Sequence, residues 1–265
     1  MKANYHSHTP RCQHAKGAEE EYVLAAIEGG FDVLGFSDHT PHHYTTDYIS
    51  GMRMHESELP DYIAKVREAG ERHKDKIRVL CGLECEYFPE IFGWIVEQKE
   101  KYKLDYLILG NHHDTTDDRN VPGGGFYFGG STEPEHLKKY AEMTVKGMLT
   151  GQFLYVAHPD VVLSQYKEFD GHAKDMAREI CRAAKAMNMP LEYNLLGCLY
   201  WGKGRFKGLG YPCEKFWEVA AQEGVKCILG VDAHAPEHLL NVELFADRAR
   251  YLEEELGMER LEMLL

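Results

Sequence analysis

A (β/α) barrel built on a parallel inner sheet is the α/β fold this sequence predicts, on two observations. Seven short apolar runs alternate strictly with longer helical segments, the pattern of a parallel sheet. Histidines and acids suited to metal binding stand where those runs stop, from His6 near the beginning to His234 near the far end. An open doubly wound sheet also fits the alternation. Closure is favoured because side chains from the first, third, fifth and last strands must converge, and barrels carry functional residues at their C-terminal strand ends.

The expected strands are Ala3 to His8, Asp32 to Ser37, Ile77 to Leu83, Leu104 to Leu109, Phe153 to Ala157, Pro190 to Asn194 and Lys226 to Val231. They are rich in Val, Ile, Leu and Tyr with little alternation, as strands buried on both faces are. The first expected helix, Ala18 to Glu28, carries Tyr22, Val23, Ala26 and Ile27 on one face. The next, Leu59 to Lys74, does the same with Tyr62, Ile63 and Val66. Pro89 to Lys103, Pro134 to Leu149, Ala173 to Met187 and Cys213 to Glu223 follow, two of them opening on the proline that a first helical turn accepts. The longest stretches expected to be irregular are Asp114 to Thr132, with Gly123-Gly124-Gly125, and Leu196 to Pro212. Both leave the functional face and are placed to cover a substrate.

The 265 residues, 44% hydrophobic and 28% charged, suffice for one large domain spanning 1–265. A formal net charge of -13 argues against a nucleic-acid partner, which demands a basic surface. No run approaches the roughly 20 apolar residues of a membrane span. Met1-Lys2-Ala3-Asn4 leads straight into the first histidines, leaving no room for an apolar leader, so a cytoplasmic location is expected. Seven cysteines without a Cys-x-x-Cys pair read as buried thiols in a reducing compartment. Oligomeric state is not legible: the apolar residues Leu252, Leu256, Leu261, Met263, Leu264 and Leu265 suit packing on the barrel or on a second subunit.

His6 and His8, two apart on a strand, point to the same side and can share one ion. Asp232 and His234 repeat that spacing at the last strand. Glu84 ends the third strand, where both carboxylate oxygens can bridge two ions, and His158 ends the fifth. Any one of these is weak evidence, since a lone histidine is more often a satisfied polar residue; the coincidence across five strand ends is not. Imidazole mixed with carboxylate suits zinc, iron(II) or manganese. About nine candidate ligands exceed what a structural site needs and indicate several catalytic ions.

Taken in order, seven segments resemble the polymerase and histidinol phosphatase (PHP) superfamily over essentially the whole chain. They are His6-Ser-His8-Thr, Arg11-Cys-Gln-His14, Ser37-Asp-His39, Gly82-Leu-Glu84, Leu109-Gly-Asn-His112, Ala157-His-Pro-Asp160 and Gly230-Val-Asp-Ala-His234. The stretch from Tyr211-Pro212 to Phe216-Trp217 is similar to the histidinol-phosphatase type. The resemblance implies the PHP fold, a distorted seven-stranded (β/α)7 TIM-like barrel, with three divalent ions. It implies His6, His8, Glu84 and Asp232 on the first ion, Glu84, His112 and His158 on the second, and His14, His39 and His234 on the third.

The implied reaction is hydrolysis of a small phosphate monoester, L-histidinol phosphate foremost, as a step of histidine biosynthesis. Glu84, Asp232 and His234 are the candidate catalytic residues. Arg205 is the first candidate to clamp the phosphate, since a guanidinium binds two phosphate oxygens in parallel. Arg11 is a weaker candidate, and His42 and His43 are expected to line the pocket. Asp38 is expected to orient His39 or another ligand, and Asp160 to do likewise or to shuttle a proton. Three competing readings are a PHP phosphoesterase of other specificity, an amidohydrolase and a metal-binding module without catalysis. Amidohydrolases use a bridging lysine where this chain has Glu84, and no ligand position is visibly replaced.

Overall fold

The computed structural model describes residues 2–121 and 125–265. Six parallel strands alternate with helices. In chain order these are β1 (Ala3–Asn4), α1 (Glu19–Glu28), β2 (Val33–His39), α2 (Leu59–His73), β3 (Arg78–Cys85), α3 (Pro89–Tyr102), β4 (Tyr106–Leu109), α4 (Pro134–Leu149), α5 (Gly171–Ala186), β5 (Leu191–Asn194), α6 (Leu195–Tyr200), α7 (Glu214–Glu223), β6 (Cys227–Gly230) and α8 (Val242–Arg250). The first four strands form one curled sheet in sequential order, and β5 pairs with β6 in a second.

Helix boundaries follow local chemistry. Proline opens α3 and α4, and Asp170 caps α5 by accepting from the Ala173 amide at 3.0 Å. Three glutamates crowd the first turn of α1, where the helix dipole favours negative charge. Gly224 closes α7 in the left-handed conformation.

The register divides each strand into two faces. Gly35 pairs with Leu80, Ser37 with Gly82, and His39 with Glu84, so these residues share the interior side. The intervening Leu34, Phe36, Cys81 and Leu83 join the larger apolar cluster with Tyr22, Val23, Tyr62 and Val66 of the covering helices. A smaller interior cluster contains Tyr5, Leu80, Tyr106, Ile108 and Tyr155.

Where seven strands were expected, the described residues form six in two sheets. Phe153 to Ala157 contributes not a strand but an isolated parallel bridge at Val156, which joins Leu109 on one side and Leu191 on the other. Between β1 and β6 the ladder is interrupted. The Val231 amide donates to the Asn4 side chain at 2.8 Å, and only Ser7 and Ala233 form a bridge. Earlier along β6, Cys227 bridges instead to Arg260 of the C-terminal tail, which wedges beside this strand. The stretch from Leu196, expected to be irregular, begins inside α6, because the Asn194 side chain accepts from the Gly197 amide at 2.9 Å and caps that helix.

Of the apolar C-terminal residues, Leu252 is buried, Leu256 packs on the larger cluster, and Met263 and Leu264 pack on the smaller one. The Leu264 and Leu265 amides donate to the Tyr5 hydroxyl at 2.9 and 3.2 Å. Leu265 stays exposed. All seven cysteines are buried and unpaired. No helix among the described residues is long and apolar enough to cross a membrane.

The Tyr106 hydroxyl reaches across the interior to the carbonyl of Tyr5 at 2.6 Å and that of Phe36 at 3.1 Å. Gly35 makes room for it: a methyl group there would stand 2.3 Å from that hydroxyl and 2.9 Å from the Tyr5 Cα. Gly35→Ala is therefore expected to lower stability by about 1–3 kcal/mol, the usual cost of overpacking, read as a lower denaturant midpoint.

Candidate metal centre

Every strand end in the two sheets delivers polar groups to one point. Glu84, near the end of β3, stands at its middle and is 2% exposed. Its Oε2 lies 2.9 Å from His39 Nδ1, 3.4 Å from His6 Nε2 and 3.6 Å from His8 Nε2. Its Oε1 lies 2.8 Å from His158 Nε2 and 3.5 Å from His112 Nε2. A methyl group on Gly110, just after β4, would stand 2.0 Å from Oε1, so only glycine lets this carboxylate sit there. Asp232 lies beyond β6, its Oδ1 at 3.0 Å from His8 Nε2 and 3.4 Å from both His6 Nε2 and His234 Nδ1. His234 Nε2 faces His14 Nε2 at 3.0 Å. The structure thus gathers His6, His8, His14, His39, Glu84, His112, His158, Asp232 and His234 into one cluster.

Two of these residues, His158 and Asp232, have left-handed backbones with φ of 28° and 51°. Such conformations cost energy at a residue with a side chain and are held by their surroundings.

The donor set suits divalent cations. His6 Nε2, His8 Nε2, Glu84 Oε2 and Asp232 Oδ1 are all buried without a hydrogen-bond partner, although burying such an atom unpaired is costly. Against burial, the imidazoles of His112, His39 and His6 hold Glu84 well below the usual carboxylate range. The nearby imidazoles of His6, His234 and His8 do the same for Asp232, also against burial. Burial pulls His39 and His234 well below an ordinary imidazole and His112 down to about 4. His6 and His8 are raised, because the facing carboxylates outweigh burial. A cation bound among these donors displaces such protons.

A model of the PHP domain family matches residues 4–195. The chain belongs to the PHP family. It is 27% identical over 246 residues to a protein of Deinococcus radiodurans named probable histidinol-phosphatase, covering 87% of this chain and 85% of that one. A Schizosaccharomyces pombe protein of the same name is 25% identical over 264 residues, covering 92% and 84%. Among solved structures, a Lactococcus lactis histidinol phosphate phosphatase complexed with zinc, L-histidinol and phosphate superposes with a TM-score of 0.70 at 20% identity, covering 98% of this chain and 95% of that one.

In this PHP chain the cluster opens into a cavity of about 590 Å³ lined also by Arg119, Tyr127, Tyr200, Arg205 and Tyr211. Arg205 rests its guanidinium 4.2 Å from the Tyr200 ring centre. Gly125 lines the adjoining pocket, while Gly123 and Gly124 lie outside the described residues. Two expected substrate-binding residues are placed elsewhere. Arg11 is held by Glu19 at 2.5 Å and Asp61 at 2.6 Å, and exposed His43 pairs with Glu56 at 2.8 Å. Neither lines this cavity. His42 does not line it either; it is buried beside Arg53, 3.1 Å away.

Asp38 accepts from the Thr9 amide and hydroxyl and lies 3.4 Å from His8 Nδ1, so it orients His8. Asp160 accepts from the Cys213 amide at 2.6 Å and Trp217 Nε1 at 3.2 Å, and burial pushes its carboxyl up to about 7. It secures the chain after His158 and does not line the cavity.

Sequence reasoning missed two supporting groups. Glu192 in β5 is fully buried and holds His6 Nδ1 at 2.8 Å, which leaves Nε2 facing the cluster. A carboxylate within an otherwise apolar buried strand was its signal. Arg53, 2% exposed, had none, because it lies in a polar loop. Its guanidinium donates to Glu86 at 2.7 Å and Asp117 at 3.3 Å. Glu86 in turn accepts from the backbone amides of His112 and His113 at 3.1 and 2.9 Å, which fixes the strand end carrying His112.

Arg53→Met is expected to cost about 3–5 kcal/mol in denaturant unfolding at neutral pH, because two buried carboxylates lose their cation. Burial pushes the Asp117 carboxyl up, but His42, Arg53, Tyr44 and Ser50 outweigh it and hold the group well below the usual range. A carboxyl so depressed stabilises the fold above its unfolded value of about 4, and that contribution drains as pH falls towards the folded value. Unfolding midpoints of the unaltered protein should therefore fall more steeply below about pH 4 than those of Asp117→Asn.

Proposed function

We propose that residues 1–265 form one PHP-type phosphoesterase that hydrolyses L-histidinol phosphate to L-histidinol and phosphate, a step of histidine biosynthesis in the cytoplasm. The observation that carries it is the convergence of unpaired buried donors around Glu84, open to a cavity with an arginine at its rim. The names of the Deinococcus and Schizosaccharomyces relatives, and the ligands of the Lactococcus structure, support the choice of substrate. In this reading the two sheets and the Val156 bridge act together as a distorted seven-membered barrel.

Three ions, of zinc, iron or manganese, fit the donor set. His6, His8, Glu84 and Asp232 would hold one, Glu84, His112 and His158 a second, and His14, His39 and His234 a third. When bound they supply acidification of water and neutralisation of phosphate charge. The protein does the rest by positioning. Glu84 turns one oxygen towards His6, His8 and His39 and the other towards His112 and His158, so a single carboxylate fixes the spacing of two sites. Asn194 pins Asp232 Oδ2 at 3.1 Å and leaves Oδ1 towards the cluster, where it orients the attacking water. His234 joins Asp232 to the outer site. Arg205 binds non-bridging phosphate oxygens as charge builds in the transition state.

Metal-replete protein should release phosphate from L-histidinol phosphate faster than from generic monoesters; no release from any monoester overturns the reading. Glu84→Gln should abolish turnover while the protein still melts cooperatively. Arg205→Ala should lower kcat/KM on the order of 10²–10³-fold, as loss of a transition-state charge donor does, and Arg205→Lys should restore only part of it.

A further inference from the structure

Six of the seven cysteines belong to the large apolar cluster; Cys12 does not. It is fully buried among polar groups. The donor atoms of Cys12, His14 and His234 lie within 4.8 Å of one another, as do those of His8, Cys12 and Asp38. His8 is itself fully buried, its Nδ1 3.4 Å from Asp38 and its unpaired Nε2 turned to Asp232 and Glu84. His14 and His234 bring their Nε2 atoms to 3.0 Å of each other, close enough for both to reach one ion. The backbone aims the sulfur there. Thr9 caps the short turn Pro10–Cys12, Gln13 leaves it at a φ of 67°, and the Cys12 carbonyl holds His14 Nδ1 at 2.6 Å, freeing Nε2 for His234.

We propose that Cys12 is a thiolate donor to the outermost ion, completing a mixed nitrogen and sulfur set with His14 and His234. This rests on the metal-dependent reading above. A sulfur in the set makes that position the softest of the three and favours zinc over manganese there. It also gives a buried thiol outside the apolar core a physical role, which packing does not.

The test is cobalt(II) substitution of the full chain after removal of metal by chelation, with Cys12→Ser and Cys12→Ala in parallel. Cobalt bound by histidine and carboxylate shows visible bands only, whereas a thiolate ligand adds a near-ultraviolet charge-transfer band. The unaltered protein should show that band, and both variants should lose it while keeping the visible bands. The proposal is overturned by visible bands without charge transfer in the unaltered protein, even if the variants fail to fold. It is overturned equally by a band that persists in Cys12→Ala. Failure to take up any cobalt would overturn the metal-dependent reading as well, so the two failures are distinguishable.

Discussion

Two backbone hydrogen bonds hold the first strand segment and the chain beyond β6 side by side. The His8 amide donates to the Ala233 carbonyl at 2.8 Å and the Ala233 amide donates to the His6 carbonyl at 3.0 Å. Without this seam His6 and His8 would stand on one edge of an open sheet, with Asp232 and His234 on another. The seam is short because the ladder does not run back along β6, where Asn4 accepts from Val231 and the tail occupies Cys227. Asp232 leaves the strand at once in a left-handed conformation, which turns its carboxylate inward. The seam and the geometry of the cluster are thus one event.

The second constraint is electrostatic. Glu84, Glu86, Asp117, Glu192 and Asp232 are all buried within a short distance of the centre. Desolvation opposes each charge, and an equivalent apolar core would be no less stable. Every one of these carboxylates has a cationic or hydrogen-bonding partner: imidazoles around Glu84 and Asp232, Arg53 between Glu86 and Asp117, and His6 and Asn194 on Glu192. The arrangement therefore secures position. Arg53 touches no ligand directly, yet through Glu86 it fixes the backbone that carries His112.

Much of this was legible in the sequence, for identifiable reasons. The helices from Leu59, Pro89 and Pro134 begin where expected, because apolar periodicity and an early proline coincide. The cluster was legible because parallel strands deliver such residues at their C-terminal ends. Less legible was anything decided by a side chain bonding to a distant backbone. Asn4 replaces a rung of the ladder, Asn194 starts an unexpected helix, and the chain around Val156 forms only an isolated bridge. Arg11 was a weaker candidate for the phosphate than Arg205; Glu19 and Asp61 pair with it, and neither is adjacent in sequence. Cys12 was grouped with core thiols on composition; only the fold reveals its polar neighbours.

The seam also constrains how the molecule comes into being. The bond from Val231 to Asn4 joins residues 227 apart in the chain. Contacts of such separation form late, because loop-closure entropy must be overcome before they contribute. During synthesis the first strand emerges with its histidines long before Asp232, so a partly made chain lacks the complete donor cluster. The assembled cluster around Glu84 therefore marks a polypeptide that has finished folding.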